Sequence, residues 1–395
     1  MAGMRIAFSL PAFVITAVTA HAAPVFKATT IDDKISIGYG LAIADMNGDK
    51  KPDILLADAK EIVWYKNPGW EKTAIAKNLT PRDNVCLAAR DLDGDGKAEV
   101  AVGAQWNPGE TNNEKESGAV FYLMRPEKEG EMWKPVQLPH EPTVHRMHWV
   151  KTGTKSYALV VLPLHGRGNV NGAGANGVKA IAYGLPEKPD DASAWRQTVV
   201  DDSLHVTHNF DLRAKGDAEE MIIGGKEGLL SAVPSGAGFE KAKLSLTEAG
   251  GGPAFGGAGE IRFGPGEGAI TCIEPFHGPN LTLFTKDEKT RTWQRKVLDT
   301  TFKEGHALAC GDVLGLGAGK EQIVAGWRMP NVEKQTGIRI YHEDGGAWKS
   351  DLVCAPNSMA CEDLKLADLD GDGKPEIIAA GRATKNVVIY KLEKP

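Results

Sequence analysis

Seven times along the chain an aromatic residue stands five positions ahead of an aliphatic one, opening a short polar-alternating run. The pairs are Phe26/Ile31, Trp70/Ile75, Trp133/Leu138, Trp195/Val200, Phe239/Leu244, Trp293/Leu298 and Trp348/Val353. Self-similarity at a regular spacing constrains a fold more than local propensity does, because each copy must be one supersecondary unit that buries its face on the next. Each copy contains four strand-like runs; the first offers YGLAIAD, PDILLAD, EIVWYK and WEKTAI. The last offers DLKLAD, PEIIAAG and NVVIYKLE, then stops one strand short, while FKATTI precedes the first copy. An N-terminal strand that completes the last blade closes a ring and leaves no open edge. The pattern therefore predicts an all-β seven-bladed β-propeller with four-stranded blades, closed by that strand. Its weakest copy is the fifth, where GEIRFGPGEGAI blurs the inner strand.

The 395 residues are 42% hydrophobic with a net charge of -6, so no basic field argues for nucleic acid. Arg5, an apolar stretch and Ala20-His21-Ala22 read as a secretory signal over residues 1–22, followed by one propeller domain over 23–395. That reading places the protein outside the cytoplasm, secreted or periplasmic. No later segment has the length and apolarity of a membrane span. Cys354 and Cys361 are close enough in sequence to pair in an oxidising compartment. Small buried hydrophobes are an equal reading of all five cysteines.

Three copies carry an acidic loop between their first and second strands: DMNGDKKPD, DLDGDGKAE and DLDGDGKPE. Oxygen-bearing side chains recur at positions 1, 3, 5 and 9. They are Asp45, Asn47, Asp49 and Asp53; Asp91, Asp93, Asp95 and Glu99; and Asp368, Asp370, Asp372 and Glu376. Ca²⁺ takes six to eight hard oxygen ligands, which such a loop largely supplies. The alternative is a solvated Asp-Gly turn without an ion. Degraded versions at Asp312 and Asp211 argue that the ions would staple turns rather than catalyse.

Acidic loops in a repeated strand frame resemble the FG-GAP/VCBS repeats of seven-bladed propellers, over essentially all of residues 24–395. That group includes adhesion modules, lectins, polysaccharide lyases and the propeller part of aldos-2-ulose dehydratase. The run VHRMHWV followed by LVVLPLHGRGN is most similar to the last of these.

Counting six residues back from the first loop Asp of each copy gives Tyr39, Val85, His145, His205, a residue near Glu260, His306 and Glu362. These positions open the inner strands, on the face opposite the acidic loops. Three residues on, His148 and His208 repeat. The turns after the second strands add Trp106, His165, Arg167, Lys226, His277, Trp327, Arg328 and Arg382 to the same face. Histidines in equivalent positions around one axis make a candidate site. His145, His205, His306 and Glu362 could hold a divalent metal such as Zn²⁺. Alternatively the imidazoles of His145, His148, His165, His205, His208 and His306 could serve as acids and bases. Arg167 and Arg328 would grip a carboxylate, and the tryptophans would cover a sugar face. The resulting expectation is a lyase or dehydratase acting by β-elimination on an anionic or keto-sugar. The alternatives are a non-catalytic module binding glycans or protein partners, and a structural subunit of an envelope assembly.

Overall fold

A computed structural model describes residues 23–248 and 253–393. The signal-peptide reading of residues 1–22 lies outside the described residues. The described strands form seven antiparallel-built sheets in ring order, six of four strands and one of five. The blades begin at Gly40–Ala44, Cys86–Arg90, Val144–Gly153, Thr207–Lys215, Ile261–Phe263, Gly305–Gly311 and Cys361–Ala367. The seventh sheet is completed from the other end of the chain. Phe26–Asp32 pairs antiparallel with Asn386–Leu392, Thr29 opposite Ile389. The closure and the seven-fold count are those the sequence predicts.

The aromatic repeat has a packing role that its spacing alone does not reveal. Each aromatic lies within one residue of the start of the outermost antiparallel strand of its blade. It shares a core with the aliphatic residue of the preceding copy. Trp133 joins Ile75, Trp195 joins Leu138, Phe239 joins Val200 and Trp293 joins Leu244. Trp348 joins Leu298, Phe26 joins Val353 and Trp70 joins Ile31. The repeat is thus an interlock running round the whole ring, not a set of seven independent cores. The Trp133 amide also donates to the Ile75 carbonyl at 2.8 Å, a direct hydrogen bond between neighbouring blades.

Blade five departs from the regular frame. Its inner strand, Ile261–Phe263, has only three residues, and Leu246–Glu248 adds a fifth strand parallel to Trp293–Asp299. A buried ion pair holds this addition. Arg295 bonds Glu274 at 2.6 Å and reaches Glu248 and the Pro253 carbonyl. All five cysteines are free thiols, so Cys354 and Cys361 are the packed hydrophobes of the second reading rather than a disulfide.

Candidate functional site: an axial histidine cluster

Four inner strands open on a shift of register. Pairing skips at His145, at His208–Asn209, at His306 and at Glu362. A bulge leaves one residue out of the ladder and re-aims its side chain, and here it places that residue at the axial end of its strand. Glu260 precedes the short inner strand of blade five in the same way, its carbonyl accepting from the Ile273 amide.

Blade four requires a correction. His208, not His205, is the counterpart of His145. Asp211 was counted as a loop residue, but it lies within Thr207–Lys215, paired with Ile222. The hairpin turns only at Gly216, which takes the left-handed φ of 61°. Counting back from Asp211 therefore overshoots by three residues.

His208, His277 and His306 form the centre. One ring nitrogen from each falls within 4.8 Å of the others. His208 Nε2 is 2.7 Å from His277 Nε2, and the His277 and His306 rings are 4.7 Å apart. The Nδ1 edges face outward, and one of them is hydrogen-bonded. His306 Nδ1 donates to the Glu362 carbonyl at 2.6 Å. Glu260 is 3.3 Å from His208 Nδ1, without the alignment of a full hydrogen bond. Glu304 is 3.7 Å from His277 Nδ1. Outer carboxylates and carbonyls that fix Nδ1 and leave Nε2 free are the usual support of metal-binding imidazoles.

The electrostatics point the same way. Burial drives the His306 pKa well below the ordinary value, and Arg328 adds to it. Burial, then the neighbouring His208, pushes His277 down to about 2. His208 is lowered too, burial outweighing the Glu260 carboxylate. The cluster is therefore neutral at physiological pH, the form in which imidazole ligates a metal. Such weakly basic imidazoles suit ligation better than proton abstraction.

The other predicted residues divide between supporting the cluster and lying elsewhere. His145 donates from Nδ1 to the His208 carbonyl at 2.8 Å and accepts from Arg146 at Nε2, 3.2 Å away. Both its nitrogens are engaged, so it braces the cluster and offers no ligand atom to it. Trp106 stacks on His145, ring centres 5.0 Å apart. Glu362 accepts from Arg328 at 2.9 and 3.0 Å and from Arg382 at 2.8 and 3.0 Å. Its nearest approach to His306 Nε2 is 3.9 Å. The carboxylate proposed as a metal ligand is thus the anchor of an Arg–Glu–Arg clamp.

That clamp also corrects the view of Arg328 as an open carboxylate grip. Its other arm bonds Glu304 at 2.9 Å. Arg167 is similarly engaged by Glu141, Glu114 and the Asn112 carbonyl. Trp327 is not a rim residue. It is fully buried, stacked on Phe302 and donating to the Gln335 carbonyl, because the second strand carries it into the blade core. Lys226 is exposed, its amine near the Gly172 carbonyl. His205 is partly exposed and paired with Glu227, and His165 bridges to Val206 with its Nδ1 unpartnered.

His148 lies deeper, against Phe210. It faces a chamber of about 30 Å³ shared with Tyr39, Arg146, Arg262, Asp363 and Lys365. Arg146, Arg262, Glu304 and Glu227 escaped the sequence reading. The first two carried a usable signal, since charged residues inside apolar strand runs such as VHRMHWV must find partners. Glu304 and Glu227 carried none.

The acidic loops close the opposite ends of these strands. Loop oxygens cap the backbone: Asp91 accepts from the Gly94 and Gly96 amides, and Asp368 from those of Gly371, Asp372 and Gly373. Asp45 does the same for Asn47, Gly48 and Lys50. Asp91, Asp93 and Glu99 converge within ligand reach of one another, as do Asp368, Asp370 and Glu376. Burial, reinforced by the loop aspartates, pushes Glu99 up to about 7. In blade seven Lys391 reaches in to Asp370, to Asp372 at 2.8 Å and to Glu376 at 3.5 Å. In blade one Asp53 is buried, accepting from the Met46 and Asn67 amides, while Asp49 accepts from Asn47.

Comparison with known proteins agrees with this architecture. Residues 45–102 match the FG-GAP-like repeat and residues 87–123 the FG-GAP repeat. Residues 117–287 match the β-propeller domain of aldos-2-ulose dehydratase, a span that contains His145, His208 and His277. No curated protein matches the sequence significantly. Solved structures share the fold at low identity. The extracellular domain of BT4673 from B. thetaiotaomicron, assigned to a hybrid two-component system, is 13% identical with a TM-score of 0.52. The alignment covers 93% of this chain but only 40% of that one. A BBS1N–ARL6DN complex structure gives 10% identity and a TM-score of 0.59, covering 94% and 98% of the two chains. Saccharomyces cerevisiae Sqt1 gives 12% and 0.53, covering 94% and 99%. Among the described residues no helix is long and apolar enough to cross a membrane.

Proposed function

We propose that this propeller is a secreted carbon–oxygen lyase whose axial histidine cluster eliminates water or an alkoxide from a carbonyl-bearing sugar. The observation that carries the reading is the convergence of His208, His277 and His306, with His306 Nδ1 bonded to the Glu362 carbonyl and carboxylates beside the other two Nδ1 atoms. These three residues would hold a divalent metal such as Zn²⁺, with Glu260 and Glu304 as their outer support. Bound there, the metal would polarise the sugar carbonyl and stabilise the enolate that proton loss creates. Trp106, stacked on His145, offers an aromatic surface to a sugar ring. The arginine forks of Arg328 and Arg382 already hold Glu362, which favours a neutral keto-sugar over a polyuronate. The match to the aldos-2-ulose dehydratase propeller supports the same substrate class. Ca²⁺ in the acidic loops would be structural.

The test is to incubate purified protein with D-glucosone, an aldos-2-ulose, and with a polyuronate, and to follow the ultraviolet-absorbing unsaturated product. The wild type is expected to form it from the keto-sugar. His306→Ala should lose it while keeping the wild-type circular dichroism. Full activity in that variant, or no product from the wild type, would defeat the reading.

A second reading is a non-catalytic propeller that binds glycans or a protein partner. It is favoured by the internal neutralisation of the axial charges and by the propeller chain solved in complex with ARL6DN. Under it, glycan binding persists and no product forms.

A further inference from the structure

The elimination proposed above needs a proton acceptor, and the central imidazoles are poor candidates because they face one another. A different imidazole, His205, lies just before His208 in the chain and on the same strand end, and is built for the task. His205 Nδ1 is 2.9 Å from Glu227 Oε1, and the other oxygen of that carboxylate accepts the His205 backbone amide at 3.2 Å. One carboxylate therefore fixes both the main chain and the ring. The His205 carbonyl is pinned in turn by the Gly166 amide at 3.3 Å. A carboxylate oxygen only accepts, so Nδ1 is the donor of this pair, and in the neutral ring the lone pair is on Nε2. About a third of the His205 side chain is open to solvent. No protein partner engages Nε2 among the described contacts. Only Val206 and Thr207 lie between His205 and His208, so their α-carbons are within about 11 Å.

We propose that His205, oriented by Glu227, is the group that takes the proton from substrate at the mouth of the axial site. The inference rests on the lyase reading. In an aldos-2-ulose the acidic hydrogen is on C3, next to the C2 carbonyl. The C3–H bond breaks to His205 Nε2, and its electron pair forms the C3=C4 bond as the C4–O bond breaks. The departing hydroxide takes a proton and leaves as water, and His205 gives up the proton it took, to that hydroxide or to solvent, which restores its Nε2 lone pair. The net change is loss of one water, and no oxidant or reductant is needed. His205 would be the catalytic residue, and Glu227 a positioning residue that holds the ring in the correct tautomer, as carboxylates do in nucleophile–histidine triads.

The test compares wild type, His205→Ala and Glu227→Gln on D-glucosone, with the transition-metal content of each measured alongside. His205→Ala should lower kcat by about 10² to 10⁴, with metal content unchanged, and added imidazole should restore part of the rate. Glu227→Gln has one acceptor oxygen where Glu227 uses two, so it cannot hold the backbone amide and the Nδ1–H at once. It should lower kcat with KM little changed and leave thermal stability near that of the wild type. An active wild type with His205→Ala at full rate overturns this proposal and leaves the lyase reading standing. A depressed rate that imidazole does not restore, with metal lost, also overturns it by assigning His205 a structural role. A wild type that forms no product brings down both readings.

Discussion

His148 shows what the axial environment does to a single titratable group. Burial, then the cations Lys365 and Arg262, lower its pKa to about 3, against about 6.5 in an unfolded chain. The unfolded chain therefore takes up a proton as pH falls through 6.5, while the folded chain does not. Stability contributed above pH 6.5 is lost between there and about 3, at a slope of at most about 1.4 kcal/mol per pH unit. Urea unfolding at a series of pH values should show His148→Gln with a shallower loss than the wild type across that window. Identical slopes would mean that the imidazole is solvated in the fold. The residue scale is also where the sequence was least legible. Glu227 and Glu304 reveal their roles only through contacts with His205 and His277, from turns that nothing in the local pattern marks.

At the scale of the element, the aromatic repeat joins neighbouring blades and the acidic loops brace the turns within their own blades. Trp133 is buried against the preceding blade and also bonds it through its amide. Trp133→Ala should cost about 3–5 kcal/mol by cavity formation, visible as a fall in the urea midpoint. A loss below about 1 kcal/mol would show that the interlock is not what joins blades. The convergence of the loop carboxylates could be read from DLDGDGKAE and DLDGDGKPE, because those carboxylates are local. Lys391 was not, because it reaches the loop from a strand that lies later in the chain. Bonding to Asp370 and Asp372 raises the Lys391 pKa, so the amine stays charged and competes with a cation. Calorimetric titration should therefore show Lys391→Met binding Ca²⁺ more tightly than wild type. Unchanged affinity would place the ion away from Asp370 and Asp372.

The whole molecule depends on closure. Removing the first strand, Phe26–Asp32, would leave Asn386–Leu392 as an open edge and take Phe26 from its core with Val353. The truncated protein should melt at lower temperature and aggregate, and unchanged melting would show that seven blades hold without the closing strand. Fold class, blade count and closure could all be read from the sequence, because a ring of repeats writes the same pattern seven times. The site could be read only as far as the register held. It failed in blade four, where Asp211 continues a strand instead of starting a loop, and that slip exchanged His208 for His205. Trp327 misled for a related reason, since the count gave its place along the strand but not the side to which it points. The account turns on whether His208, His277 and His306 form a metal centre. Elemental analysis of the purified protein, beside a variant with these three histidines changed to alanine, tests it most directly. The account expects about one transition metal per wild-type chain and none in the variant, with calcium unchanged. A wild type carrying calcium alone, or a variant that keeps its transition metal, would contradict it.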